Sequence, residues 1–284
     1  MVSDSVVRML TKCLAIPAIL IAIGCEQAMD TADPNAKMRE IYYLSFLPGQ
    51  VQPVESYVLQ ALGQQRTLFT EEQFNIAEKV ITENTRAEKI EALTLKYLTE
   101  QTQRDFLDES LEWLKTPPVR KFMALKSVAF TPESMEDMKE YFLKEAENPP
   151  SAERMALIER YDEATNYSGL AAETMLLTAF GVAVIHDSLL PPEERLGAKK
   201  LQDSTATQRS VLKPIFKETS IVAHKFAFSQ STDEEVRSIV EFAESNPGLW
   251  LYTTISATFL NAVLEATAGL GPNFLAALPE TPAS

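Results

Sequence analysis

Apolar positions recur along this chain at three- and four-residue spacing, the period of an α-helix, and nowhere with the alternation of a half-buried strand. The clearest case is Ile221 to Leu264. There Ser231 and Glu234 have the spacing of a capping box, and Val236, Ile239, Val240 and Ala243 follow as an apolar stripe. Ser245-Asn246-Pro247-Gly248 then stops the helix, because Pro247 has no N–H and restricts Asn246. The same proline suits the first turn of a new helix capped by Asn246, with Leu249, Tyr252, Ile255 and Phe259 as its stripe.

Upstream, Met38–Leu47 predicts a helix ended by Pro48-Gly49, and Val51–Leu62 predicts a second with Pro53 in its first turn. Thr70/Gln73 and Thr85/Glu88 have capping-box spacing; Phe74, Ala77 and Ile81 line the helix after the first. Ser151 is placed as a cap, and Ser168 as the cap of the most apolar helix. From Thr174 to Ile185 no residue is charged, a run of 12. That is shorter than a membrane span and suits a helix central in a bundle. Pro191-Pro192 ends it, Pro214 predicts a kink or a break near Lys213, and Gly269, Gly271 and Pro272 close the last long helix. The fold class expected is all-α, a bundle of about ten helices.

The helix-break-helix pattern occurs twice. An offset of 129 residues sets Trp113 on Phe242, Thr102 on Ser231, Leu107 on Val236, Leu111 on Val240, Thr116 on Ser245 and Pro118 on Pro247. Two similar units imply an N-terminal half, 36–147, and a C-terminal half, 151–278, joined at Asn148-Pro149-Pro150. On this reading Trp113 and Phe242 occupy equivalent buried positions.

These residues also carry a resemblance. A polar cap, an amphipathic helix ending in an aromatic and then Ser-Pro-x-Gly is similar to the bacterial family known as domain of unknown function 2059. Phe242 to Trp250 resembles its closing motif, with Asn246 where the family usually has Pro and Val119 at the usual Gly of the first copy. The resemblance, running from about Leu47 to Leu264, implies a secreted, all-helical protein and no particular chemistry.

The first 24 residues change the address. Arg8 and Lys12 precede an 11-residue apolar run, Cys13–Ile23, the length of a signal-peptide core. Ala22-Ile23-Gly24-Cys25 then resembles a lipobox, so residues 1–24 are expected to be removed and Cys25 lipidated. The competing expectation is plain cleavage after Gly24 and a soluble periplasmic protein. Residues 25–35 would be a tether and 279–284 a disordered tail. Without residues 1–24 the chain keeps 24 basic and 39 acidic residues, a net charge near −15. It would have no thiol besides Cys25. That acidity argues against nucleic acid and against anionic membrane surfaces.

Candidate chemistry is sparse. His186-Asp187 could pair as base and orienting carboxylate, but no nucleophile motif accompanies it. His186 and His224 are the only histidines, too few for a typical zinc site. Glu71-Glu72, Glu193-Glu194 and Glu234-Glu235 are placed in helix first turns, where the macrodipole favours acid. Trp113, Trp250, Phe242 and Tyr252 are read as core. No catalytic, metal or cofactor residue is expected. The motif residues Trp113, Pro118, Ser231, Phe242, Pro247 and Gly248 are structural. The function expected is that of a cell-envelope lipoprotein, held at the periplasmic side by lipid at Cys25, that binds or scaffolds an envelope protein. The alternative is a carrier holding an apolar ligand between the 174–185 helix and the weakly charged 251–278 segment.

Overall fold

The computed structural model of the protein describes residues 33–129, 131 and 134–279. The signal segment, Cys25, most of the tether and residues 280–284 lie outside them. Among the described residues the chain is all-α, without a strand.

The first half comprises α1 (Pro34–Leu44), α2 (Leu47–Val51), α3 (Val54–Gln64), α4 (Glu71–Thr85), α5 (Ala87–Thr99), α6 (Leu107–Lys115) and α7 (Pro117–Val128). A connecting helix, α8 (Met135–Glu147), leads to α9 (Ala152–Thr165), α10 (Tyr167–Leu189) and α11 (Ala198–Ala206). The chain continues through α12 (Arg209–Ala227), α13 (Asp233–Glu244), α14 (Asn246–Ala268) and α15 (Leu270–Ala277).

The two units superpose in burial register. The buried residues of α6 are Leu107, Ser110, Leu111 and Leu114. Those of α13 are Val236, Ile239, Val240 and Ala243, each 129 residues later. Val119, Phe122, Met123 and Lys126 of α7 correspond in the same way to Gly248, Leu251, Tyr252 and Ile255 of α14. The likeness extends upstream with an offset of 120: Met38, Ile41, Tyr42 and Ser45 match Ile158, Tyr161, Asp162 and Thr165, all buried. Packing follows the same two-fold logic. α1 lies on α5 and α6 as α9 lies on α12 and α13, while α14 packs on α5 of the first half and α7 on α12 of the second. The long helices are thus exchanged between halves, and one core cluster joins residues of both.

Local chemistry sets the junctions. Thr70 and Gln73 form the capping box of α4, and the Ser151 side chain caps α9. At the second unit the box is shifted by one residue. Thr232, with extended backbone, accepts from the Glu235 N–H, and Glu235 accepts from the Thr232 N–H. Ser231 instead closes the preceding turn through its own N–H to Phe228, and its hydroxyl is buried without a partner. Likewise Ser245, not Asn246, caps α14, accepting from the Gly248 N–H at 3.3 Å with Pro247 in the first turn. Pro118 sits at the matching place in α7, where Thr116 precedes the helix with no side-chain cap bond.

Five further expectations are corrected. Thr85 bonds back to the Ile81 carbonyl, and Arg86 begins α5 without a side-chain cap bond. Pro48 lies inside the short helix α2 rather than in a break. A Cβ on Gly49 would meet the Ser127 carbonyl oxygen at 2.2 Å, so the glycine lets α2 touch the end of α7. The stretch expected to kink or break at Pro214 is two helices, α11 and α12, and α12 runs through Pro214. Leu249, expected in the apolar stripe, is exposed. Trp113 and Phe242 are half-buried rather than buried, and they pack on each other.

Candidate functional site

A group of buried titratable side chains sits where the halves meet. Lys126 on α7 is 2% exposed, an unusual place for a lysine. Its Nζ donates to the Tyr161 hydroxyl at 3.0 Å. It also lies 4.1 Å from the Tyr167 ring centroid, 4.5 Å from Tyr161, 4.6 Å from Phe46 and 5.6 Å from Phe122. Four ring faces at such range attract a cation electrostatically. The Tyr161 and Tyr252 hydroxyls share a hydrogen bond at 2.9 Å, which carries the chain of contacts onto α14.

A second buried pair adjoins it. His224 on α12, fully buried, faces Asp162 with Nε2 3.2 Å from Oδ1. Asp162 also accepts from the Ser168 N–H at 3.1 Å and the Ser168 hydroxyl at 2.8 Å. Ser168, expected as a helix cap, therefore anchors a carboxylate, while Asn166, in the left-handed conformation at φ 47°, begins α10. The His224 ring lies edge-on to Tyr161, centroids 5.0 Å apart, and 5.1 Å from Tyr167. Nδ1 of His224 is buried without a partner. With Nε2–H given to Asp162, Nδ1 carries the lone pair of a neutral imidazole.

Burial governs the proton affinities. It pushes the Lys126 ammonium well below the ordinary lysine range, against the pull of Asp162. His224 is driven to about 4, by burial first and then by the Lys126 charge, with Asp162 opposing. Burial alone would raise the Asp162 carboxyl, but the hydrogen bonds and charge of His224 and the Ser168 bonds together hold it below the carboxylate norm. Tyr161 and Tyr252 are pushed up by burial.

The repeat provides an internal comparison. The counterparts of Lys126, Tyr161, His224 and Tyr252 are Ile255, Ile41, Leu95 and Met123. The same architecture is thus packed with apolar residues on the other side of the pseudo-two-fold. The polar cluster is an addition to the fold, not a requirement of it.

The other sequence candidates lie apart from this cluster. His186 meets Phe69 edge-on, with centroids 6.3 Å apart. Its neighbour Asp187 turns to the backbone, accepting from Leu196 N–H at 2.8 Å and Gly197 N–H at 3.0 Å. Glu71 pairs with Arg66, and Glu193 and Glu194 are exposed in a turn rather than in a helix. Among the described residues no group of His, Cys, Asp and Glu has metal-binding geometry. Trp250 donates its indole N–H to the Gln103 carbonyl at 3.2 Å. The 174–185 helix and the C-terminal segment pack directly on each other, with Phe180, Val184 and Ile185 against Leu270 and Phe274. α10 is long and apolar enough to cross a membrane, but most of its apolar stretch is buried in the bundle, as befits a core helix.

Accessible surface of a different kind lies at 191–219. Of the described side chains there, none is buried, although α11 and the first half of α12 belong to it. Leu196 is 52% exposed, Val211 65% and Ile215 45%, and the last two are one helical turn apart. The segment has six basic and four acidic residues in a chain of net charge −14. Arg209 pairs with Glu173 of α10, and Lys217 with Glu163 of α9 at 3.4 Å, which fixes α12 on the bundle.

No family model, curated protein or solved structure matches the chain.

Proposed function

We propose that this is a cell-envelope lipoprotein, anchored through Cys25 on the periplasmic side, that works by binding another protein. The observation that carries this reading is the 191–219 segment, two helical stretches in which no described side chain is fully buried and Leu196, Val211 and Ile215 stand exposed. Ordered helices normally bury one face, so a face left open offers itself to a partner. Its flanking basic residues favour a partner with an acidic rim around an apolar patch. The chemistry-bearing groups, in contrast, are enclosed: Lys126, Tyr161, Asp162 and His224 are each no more than 2% exposed. A binding role suits such a molecule better than turnover of a substrate. The lipobox-like Ala22-Ile23-Gly24-Cys25 and the motif resemblance support the address.

The test is a paired experiment. Val211→Asp with Ile215→Asp should leave the helical circular dichroism unchanged and abolish a partner recovered by crosslinking from membranes. Cys25→Ser should lose palmitate label and move the protein to the soluble fraction. Retention of every crosslinked partner by the double variant would remove 191–219 as the recognition face.

A further inference from the structure

The cluster around Lys126 joins elements that the chain order keeps apart. Lys126 comes from the first half; Tyr161, Asp162, Tyr167, Ser168, His224 and Tyr252 come from the second. It lies where α7 crosses onto α12, the contact that exchanges helices between the halves. We propose that the Lys126–Asp162–His224 cluster is an acid-sensitive latch, which holds α7 of the first half on α9, α10 and α12 of the second and is released when His224 gains a proton.

A proton on Nδ1 creates a donor where no acceptor faces it, and a buried unsatisfied donor is unfavourable. It also brings a second cation onto the two rings, Tyr161 and Tyr167, that already face Lys126. One carboxylate, Asp162, then answers two positive charges. α7, α9 and α10 pack on α12 around His224, and α8 meets the adjoining turn through Glu145 on Lys225 and Tyr141 on Phe226. α7 contributes Lys126, α9 Tyr161 and Asp162, and α10 Tyr167 with Ser168, while Tyr252 reaches Tyr161 from α14. Of the remaining cations of α12, Arg209, Lys217 and Lys225 are engaged by Glu173, Glu163 and Glu145, and Lys213 is exposed to water. The side chain that relieves the strain by leaving is Lys126, because water outside can solvate its ammonium. The apolar counterpart set on the other side of the pseudo-two-fold has no such charge and stays closed.

The sign follows from linkage. His224 is held down to about 4 in the closed form, and a histidine in water titrates near 6.5, so the open form takes up the proton first. Opening should therefore grow by up to about tenfold per pH unit as pH falls from about 6.5 towards 4.

Hydrogen exchange on the full chain at about pH 7 and about pH 4.5, corrected for the intrinsic rate, reads this directly. Amides of 122–128 and 220–227 should lose protection on acidification, while those of α6 and the start of α14 keep theirs. His224→Gln, which can still donate to Asp162 but does not titrate, should abolish the selective loss. Lys126→Met removes the second cation and should reduce it, and serves if the glutamine variant fails to fold. Full protection of both stretches in the wild type at about pH 4.5 overturns the latch. So does an equal loss in the wild type and in either folded variant.

Discussion

Trp113 and Phe242 stack face to face, ring centroids 3.9 Å apart and planes inclined by 8°. They are the same position in the two units, so the pseudo-two-fold axis passes between a residue and its own counterpart. Nearby contacts respect the same axis. Trp250 reaches Gln103 beside the start of α6, and Lys121, the counterpart of Trp250, reaches Glu235 at the start of α13 at 3.7 Å.

The stack predicts coupling. Because both rings are half-buried, truncating either to Ala should cost about 2–3 kcal/mol, below the ~3–5 kcal/mol of a fully enclosed aromatic. The double variant should lose less than the two together, with a coupling of roughly 0.5–1.5 kcal/mol in a urea-denaturation cycle. Additive losses would separate the two rings energetically.

Gly248 is predicted to be irreplaceable where its counterpart is not. A Cβ there would fall 1.9 Å from the Phe242 carbonyl oxygen, a backbone atom that cannot step aside. Gly248→Ala should leave little folded protein. Val119→Ala, at the matching place in α7, should cost only roughly 1–2 kcal/mol for the methyl groups removed. Thermal unfolding of the two variants decides the comparison.

The displaced capping box makes neighbouring substitutions unequal. Thr232→Ala removes both the acceptor for the Glu235 N–H and the partner geometry of Glu235, and should cost about 1 kcal/mol. Ser231→Ala deletes a buried hydroxyl that has no partner and should be neutral or slightly stabilising. Reversed rankings in chemical denaturation would return the cap to Ser231.

The buried cluster predicts the pH dependence of global stability. His224 has its folded affinity lowered to about 4, so its contribution is fully present above pH ~6.5 and lost as pH falls towards 4, roughly 3 kcal/mol at most. Lys126 is shifted in the same sense by burial, which also favours the folded state at higher pH. At neutral pH, Asp162→Ala should cost about 3–5 kcal/mol, because it strands the buried partners it satisfies. Lys126→Met should be close to neutral, since Ile255 fills the equivalent place on the other side. Isothermal denaturation from about pH 7 to about pH 4 tests the three together.

Helical period, the breaks at Pro149-Pro150, Pro191-Pro192 and Pro247 and the 129-residue repeat were legible in the chain, because capping, chain stiffness and one-sided apolarity act over a few residues, whereas Pro48 and Pro214 lie inside helices. The buried stripes Val236/Ile239/Val240/Ala243 and Tyr252/Ile255/Phe259 follow from spacing alone. Which neighbour caps a helix did not follow. Ser231 and Thr232 are chemically alike, and the choice depends on where the turn from Phe228 ends and on Arg154, whose guanidinium holds the Ser231 carbonyl at 2.9 Å. The exposure of 191–219 was equally hidden, since α11 and the first half of α12 have ordinary compositions and only the path of the chain leaves so much of them exposed. The site depended most on tertiary structure. Lys126 and His224 lie 98 residues apart, and a lysine in sequence reads as surface. Only the exchange of α7 onto the second half puts its ammonium among four rings, where burial rather than sequence neighbours governs its charge.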